Sequence, residues 1–294
     1  MQKVNNLLII FFLIAFVQTI AGQYINISNG NNISNTFGDK VDAQWSADGS
    51  SLLFQYKENE NSIICIYYIE ADTLQCTSNI DYNFNNLVWH PDGDKIVFDS
   101  DKDGIEYLYV LDLETNEIKP LFNRKIRCRN ASFSESSRQV YFTGYDKLAK
   151  RWEIYSYDFI YDNLNKLTSF KLGCSNPEIS NDGKLIAYCK QNPFKGTKSI
   201  DVINWYGESA IRFKGFDGEF PTWNSSTFKL FFISYMDNDK GELYSIWKNG
   251  THLERLTDDT LEIQYPAISP DESKIAISVL TENGWDIYIV PFDK

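Results

Sequence analysis

Basic residues are scarce in this 294-residue chain. Lys and Arg together number 28 against 40 Asp and Glu, which gives a net charge of −12. A partner with a phosphate backbone needs clustered Lys and Arg, so this composition disfavours nucleic-acid binding. The acidic balance otherwise indicates a soluble domain and says nothing about its fold.

Long apolar runs are also missing. The longest, Leu7 to Val17, has 11 residues, whereas a spanning helix needs about 20 and a signal-peptide core about 7–15. Small residues at Ala21 and Gly22 suit cleavage there. We therefore predict a signal peptide at 1–22, a single mature domain at 23–294, and a secreted or periplasmic protein with no stable membrane span after cleavage. An uncleaved signal anchor is the alternative.

The chain contains a sequence motif that is repeated six times: an aromatic residue or Ile, then a tight polar turn, then a short run of β-forming residues. Its anchors are Trp45, Trp89, Phe133, Ile179, Trp223 and Ile268. They are 44 to 46 residues apart, a period typical of repeat architectures. Each repeat has room for four short strands, too few to bury their own faces, which is typical of a propeller blade. Six such repeats fill the predicted mature chain, so the sequence predicts an all-β, six-bladed propeller of four-stranded antiparallel blades.

The chain ends show how the ring would close. The sixth repeat stops after its third strand, which would leave an unpaired edge. Alternating apolar residues lie between Tyr24 and Asn35, and Ile33 precedes the first anchor by 12 residues, as Leu256 precedes the sixth. We therefore expect an N-terminal strand within residues 24–35 to complete the last blade.

The second repeat resembles the repeat of TolB-type, WD40-like propellers. The matching segments are His90-Pro91-Asp92-Gly93, Ile96-Val97-Phe98, Asp99 to Gly104 and Tyr107 to Asp112. Repeats two, four and six match best, whereas repeats three and five lack the Asp-Gly turn. The resemblance covers the whole mature chain and implies the propeller fold, which serves both interaction scaffolds and the caps of prolyl-oligopeptidase-like enzymes. No nucleophile elbow is present, so we expect no hydrolase domain.

Five cysteines gain meaning if the protein is exported. Cys65 and Cys76 flank one predicted turn, and Cys174 and Cys189 flank another. Each pair is a candidate disulfide across a hairpin. Alternatively, all five are small buried hydrophobes. Cys128 occupies the same repeat position as Cys174, so a bridge between neighbouring blades is a third possibility.

Metal and histidine chemistry have weak support. His90 and His252 fall in different repeats, whereas a metal site or catalytic dyad needs clustered groups. The scarcity of histidine also disfavours the metal-dependent polysaccharide lyases that share this propeller. Asp99-x-Asp101-x-Asp103-Gly104 opens like a calcium loop, but its twelfth position is Val110 instead of Glu. A polar hairpin turn is the simpler interpretation, and we expect no metal and no cofactor.

The innermost strand of each blade should line the central channel. Three residues before each anchor stand Asp42, Asn86, Asn130, Asn176, Phe220 and Tyr265. Repeat three adds Arg127 and Arg129, and repeat five adds Asp217 and Glu219. This ring of amides, aromatics and split charge is a candidate site for a small polar ligand or a partner's peptide. A merely hydrated channel entrance is the alternative.

These observations favour an exported, non-enzymatic scaffold that presents its channel mouth or one face to a protein partner. The alternative is a propeller that binds a glycan or another small ligand, with enzymatic activity from channel carboxylates. Asp42, Glu178 and Glu219 are then the first acids to test, because paired carboxylates can cleave sugars.

Overall fold

The computed structural model describes residues 24–33, 38–58, 61–77, 83–123, 125–134, 138–191, 196–211, 217–237, 239–257 and 261–292. The predicted signal peptide at 1–22, the end of the predicted N-terminal strand at Ser34 and Asn35, and residues 135–137 of the third turn lie outside these ranges. In the described part, strands form six four-stranded antiparallel sheets, as the 44-to-46-residue period predicts.

The strands run in chain order from β1 (Asn31–Asn32), which follows a 3₁₀ turn at Ile27–Asn29. Blade one contains β2 (Asp39–Trp45), β3 (Ser51–Glu58), β4 (Asn61–Tyr68) and β5 (Thr73–Cys76). Blade two contains β6 (Phe84–Trp89), β7 (Lys95–Ser100), β8 (Tyr107–Asp112) and β9 (Ile118–Pro120). Blade three contains β10 (Cys128–Phe133), β11 (Gln139–Asp146), β12 (Arg151–Asp158) and β13 (Asn163–Lys166). Blade four contains β14 (Cys174–Ile179), β15 (Leu185–Gln191), β16 (Lys198–Asn204) and β17 (Ser209–Ile211). Blade five contains β18 (Glu219–Trp223), β19 (Lys229–Ser234), β20 (Glu242–Trp247) and β21 (Glu254–Arg255). Blade six contains β22 (Ile263–Ile268), β23 (Lys274–Thr281) and β24 (Gly284–Pro291), together with β1.

The hydrophobic core is divided among the blades and the spaces between them. Val97 of β7, for example, packs in one cluster with Val140 and Phe142 of β11, which belong to the next blade. Each second strand is the most deeply buried part of its blade, because both of its faces are covered by neighbours. The ring therefore gives every blade two neighbours against which to bury its apolar faces.

The N-terminal strand closes the ring, as predicted. β1 pairs antiparallel with β24, with Asn31 opposite Ile289 and Asn32 opposite Tyr288. The preceding residues do not continue this strand. Ile25 instead donates from its backbone N–H to the carbonyl of Leu256 in blade five at 2.7 Å, and Ile27 is buried between blades five and six. The N-terminal segment thus holds two blades together.

A buried ion pair lies at the same junction. Lys40 of β2 donates to the carboxylate of Asp286 in β24 at 2.7 Å, and their side chains are 2% and 4% exposed. The Asn32 amide donates to the other oxygen of Asp286 at 3.3 Å. Blade one and the completed blade six are therefore joined by charge as well as by packing.

Each innermost strand contains a β-bulge at the predicted channel position. The pairing with the second strand shifts at this point in all six blades. At each bulge one residue has a positive φ, between 50° and 58°: Asp42, Asn86, Asn130, Asn176, Phe220 and Tyr265. Asn and Asp tolerate this left-handed backbone better than other side chains, which explains why four of the six positions carry them.

Three tryptophan anchors connect neighbouring blades. Their indole N–H groups donate to the backbone carbonyl just before the anchor of the preceding blade: Trp45 to Ala267 at 3.0 Å, Trp89 to Gln44 at 3.2 Å and Trp223 to Glu178 at 3.0 Å. The anchors Phe133, Ile179 and Ile268 have no N–H in the side chain and contribute by packing alone. Anchor side chains thus hydrogen-bond blades one, two and five to the blade that precedes each of them.

One of the two predicted disulfides forms. Cys65 of β4 and Cys76 of β5 are direct cross-strand neighbours, with Cα atoms 4.1 Å apart, and they are bridged. The predicted bridge between Cys174 and Cys189 is wrong, because Cys174 lies opposite Lys190 and Cys189 lies opposite Ser175. This offset of one residue places the two side chains on opposite faces of the sheet. Cys128 is also free, so no bridge joins it to Cys174.

Candidate functional site

The six bulge residues converge on the narrowest part of the central channel. A space of about 80 Å³ lies there, bounded by all six together with Gln44, Glu178 and the prolines that follow three of the bulges. This volume corresponds to about two or three water molecules. The structure thus brings the predicted ring together, at a constriction too small for a ligand the size of a sugar.

A much larger cavity opens at the end of the channel where the inner strands begin. We call this the upper mouth; its volume is about 730 Å³. Of the predicted residues, Asn86, Arg129, Asn130, Asn176, Phe220 and Tyr265 line it, and so do Cys174 and Cys189. Asp42 lies below it, in the constriction. Glu219 is held at its border by Lys198, which lines the cavity and donates to Glu219 at 2.9 Å.

Blade three supplies two stacked arginines, of which Arg129 lines the upper mouth and Arg127 lies beside it. Arg127 and Arg129 lie over the ring of Trp152, with guanidinium carbons 5.0 and 4.2 Å from its centroid, and Arg127 also lies over Tyr145. Glu106 of blade two accepts from Arg127 at 3.0 Å and is 3.8 Å from Arg129. Stacking on an aromatic face leaves the edge of a guanidinium available for hydrogen bonds. Trp152, Tyr145 and Glu106 were not among the predicted site residues, although the run Lys150-Arg151-Trp152 places basic and aromatic side chains together.

Phe220 and Tyr265 form the aromatic side of the mouth. Their ring centroids are 4.2 Å apart. Both residues have φ near 50°, a conformation that is unfavourable for bulky side chains and costs about 1–3 kcal/mol when held by its surroundings. Such strain is concentrated at functional sites in proteins, so Phe220 and Tyr265 are the candidate binding residues on this side of the channel.

Asp99 is a buried acid of this site, although its sequence context predicted only a loop. Its carboxylate accepts from the Asn86 amide at 2.7 Å and from the backbone N–H of Asn130 at 3.1 Å. Burial raises the pKa of Asp99 to about 7 despite these bonds. Thr143 and Ser278 occupy the same repeat position and accept from the next blade's bulge N–H, at 3.1 and 3.3 Å. A side-chain oxygen at this repeat position thus indicates, from sequence, an acceptor for the next blade's bulge N–H.

Two more acids meet in the constriction. Burial raises the pKa of Glu178 to about 8 and that of Asp42 to about 6, and the charge of Asp42 contributes to the shift of Glu178. Ser132 donates to Glu178 at 3.1 Å, and Gln44 donates to Asp42 at 3.2 Å. Glu178 thus retains its proton near neutral pH, whereas Asp42 is largely ionised there.

The cysteines of the mouth are not activated nucleophiles. Burial raises the pKa of both Cys174 and Cys189 to about 12. A thiol is nucleophilic as the thiolate, which such values suppress at neutral pH.

The histidines lie on the opposite face of the ring. His90 lines a second cavity of about 590 Å³, the lower mouth, together with the tryptophan anchors. It packs edge-on against Phe133, with centroids 5.1 Å apart, and burial lowers its pKa. His252 stacks on Trp247 in blade five. The two residues thus belong to separate aromatic contacts in different blades.

Other kinds of site have little support in the described ranges. Within them, no three His, Cys, Asp or Glu side chains are grouped as metal ligands would be. In the calcium-like loop, Asp99 faces Asn86 and Asn130, whereas Asp103 accepts from the Tyr109 hydroxyl at 2.6 Å. A search of the same ranges finds no helix long and apolar enough to cross a membrane.

Solved structures of similar shape include two TolB proteins. TolB from Acinetobacter baumannii is 16% identical to this chain, with a TM-score of 0.66. The match covers 85% of this chain and 65% of the TolB chain. The putative TolB from Agrobacterium tumefaciens is 17% identical with a TM-score of 0.67, covering 89% and 93%. Oligogalacturonate lyase from Vibrio parahaemolyticus is 12% identical with a TM-score of 0.60, covering 88% and 92%. These similarities show the fold.

The family is shown by a separate comparison. A sequence comparison with curated proteins finds no match. The PD40 family model, described as the TolB beta propeller domain, matches residues 28–270. That span contains all six anchors. The chain belongs to the TolB β-propeller domain family.

Proposed function

We propose that this protein is an exported, non-enzymatic scaffold whose upper mouth binds a protein partner. The observation that carries the proposal is the 730 Å³ cavity, walled by Arg129 stacked on Trp152 on one side and by the strained pair Phe220 and Tyr265 on the other. Arg, Trp and Tyr are the residues enriched where binding energy is concentrated in protein interfaces.

The rigidity of this mouth supports the same function. Its walls are inner strands fixed by bulges and by hydrogen bonds from one blade to the next, as between Asn130 and Asp99. A preformed site loses little conformational entropy on binding. The propeller can therefore hold a partner's loop or chain end without folding around it.

A small polar ligand or glycan is the second candidate. The amides of Asn86, Asn130 and Asn176 line the mouth, and one of the similar structures is an oligogalacturonate lyase. Catalysis by Asp42 and Glu178 is less well supported, because the space that these two acids share is about 80 Å³ and holds only a few waters, although Glu178 also lines the lower mouth. Glu219, the third acid, is engaged by Lys198.

Export is part of the proposal. Its support is the N-terminal sequence at 1–22 and the disulfide between Cys65 and Cys76, since disulfides persist in oxidising compartments. A secreted or periplasmic location is consistent with both. Sequencing the N-terminus of the protein recovered outside the cytoplasm tests this, and we expect it to begin at Gly22 or Gln23.

The partner site is tested by filling each mouth separately. Ser175 lines the upper mouth and Ser225 the lower mouth, and both are partly exposed. In a pull-down with tagged protein from the exported fraction, Ser175→Trp should lose the partner that wild type captures, and Ser225→Trp should keep it. Equal capture by both variants would overturn the proposal. Turnover of a glycan library by the purified chain would replace it with the enzymatic alternative.

A further inference from the structure

One edge of the Arg129 guanidinium is not used by the protein itself. Within the described residues, the ion pair of Arg129 is made by Nη1, which is 3.8 Å from the nearer oxygen of Glu106. Its Nε is buried and has no hydrogen-bond partner there. An unsatisfied buried N–H is costly, and more so in a charged group. Such a group in a cavity wall indicates a ligand that supplies the missing acceptor.

The orientation of this edge is fixed from two sides. Trp152 stacks beneath the guanidinium at 4.2 Å, and Glu106 holds Arg127 at 3.0 and 3.2 Å beside it. Both Arg129 and Trp152 line the upper mouth. The Nε–Nη2 edge therefore forms a preorganised fork, the geometry that pairs with two oxygens of one planar group.

The surrounding charge favours an anion of low charge. Lys150 lines the same cavity, is exposed, and has no ion-pair partner among the described residues. Lys198 and Arg151 also line it but are engaged by Glu219 and Glu153. The acids facing Arg129 are Glu106 and Asp99, and the Asp99 carboxylate already accepts two hydrogen bonds.

We propose that the Arg129 fork binds a carboxylate, with Lys150 as a second positive charge at the rim. A carboxylate supplies two coplanar acceptors with a single charge, whereas a dianionic phosphate would be repelled more strongly by Glu106 and Asp99. The carboxylate belongs to an acidic side chain or to the chain end of the partner. This last step rests on the proposed partner-binding function of the upper mouth.

The test observes the Nε–H signal of Arg129 by NMR during titration with glutarate. Glutaramide is the neutral control, and inorganic phosphate is the competing anion. Arg129→Lys keeps the charge but loses the fork, and Arg138→Lys makes the same exchange at Arg138, which pairs with Asp158 on the lower face. We expect glutarate to shift the Nε–H signal and to bind about tenfold more weakly to Arg129→Lys, with Arg138→Lys unchanged. Thermal melting verifies that both variants fold.

Several results would overturn the inference: an unshifted Nε–H signal, tighter binding of phosphate, or equal affinity in Arg129→Lys. A capped Glu-containing tripeptide and an uncapped Ala tripeptide then identify the side chain or the chain end as the source of the carboxylate. If Arg129→Lys abolishes glutarate binding while Ser175→Trp still captures the partner, the proposed function fails and the carboxylate site stands. If glutarate does not bind but Ser175→Trp loses the partner, this inference alone fails.

Discussion

The rings of Phe220 and Tyr265 are 4.2 Å apart between centroids, and both residues have the left-handed backbone that Asp or Asn adopts in the other four inner strands. Two bulky residues in a conformation suited to Asn require a compensating contact. Their ring contact, worth about 0.5–1.5 kcal/mol beyond its buried area, supplies part of it. The remaining strain is consistent with a role of these rings in binding.

Replacing Phe220 by Asn should therefore separate stability from binding. Asn relieves the left-handed strain of about 1–2 kcal/mol but loses the ring contact, so we expect the free energy of unfolding in urea to change by no more than about 1 kcal/mol. Capture of the partner should fall. Phe228→Asn, an exposed position on the lower face, is the control and should leave capture unchanged. A variant that binds like wild type would show that Phe220 is only structural.

The ion pair between Lys40 and Asp286 should be essential for ring closure. Lys40→Met leaves a buried carboxylate without its cation, which costs about 3–5 kcal/mol, and urea unfolding measures the loss. Lys184→Met is the matched control, because Lys184 is 73% exposed and 3.7 Å from Asp182. The control should cost under about 1 kcal/mol. Similar losses in the two variants would contradict a special role for the closing pair.

The tryptophan anchors should contribute by hydrogen bonding as well as by packing. Trp223→Phe removes the N–H that donates to Glu178 at 3.0 Å, and we expect a loss of about 1–2 kcal/mol in the free energy of unfolding. Trp205→Phe makes the same change at a side chain that is 40% exposed and should be nearly neutral. If both substitutions are neutral, packing alone joins the blades.

Glu178 should make the protein less stable as pH rises. Its pKa is raised from 4.5 to about 8, so the native state retains a proton that the unfolded chain releases between these values. The free energy of unfolding therefore loses a contribution as pH increases from about 4.5 to about 8. Glu178→Gln removes this loss, and its stability relative to wild type should increase across that window. Exposed Glu117→Gln should show no such trend, and a parallel profile for Glu178→Gln would refute the assignment.

Thiol counting should distinguish the single disulfide from the alternatives. The chain has five cysteines, of which Cys65 and Cys76 are bridged and the other three are buried and free. Titration with a thiol reagent should find three thiols per chain in denaturant and five after reduction. One thiol per chain in denaturant would show that Cys174 and Cys189 are bridged after all, and five would exclude the bridge between Cys65 and Cys76.

Most of the fold was predictable because the repeat recurs in the sequence at a regular spacing. The six anchors, their turns and the missing last strand led to six blades closed by an N-terminal strand, and β1 pairs with β24 accordingly. The bulge positions were also predictable, since Asp42, Asn86, Asn130 and Asn176 suit the left-handed backbone. These features follow from local conformational preference and from alternation within single strands.

The site depended on relationships that the sequence does not contain. Cys174 and Cys189 flank a turn as Cys65 and Cys76 do, yet an offset of one residue places them on opposite faces. Likewise, Arg129 of β10 stacks on Trp152 of β12 across the intervening β11, a contact between strands that are not paired with each other. The sequence by itself determined the number of blades, because each repeat is a local run of consecutive strands, and it determined their closure, because the last repeat lacks a strand that the N-terminal residues supply. Only the tertiary structure decided which side chains face one another, because strand register and the curvature of the ring set those distances.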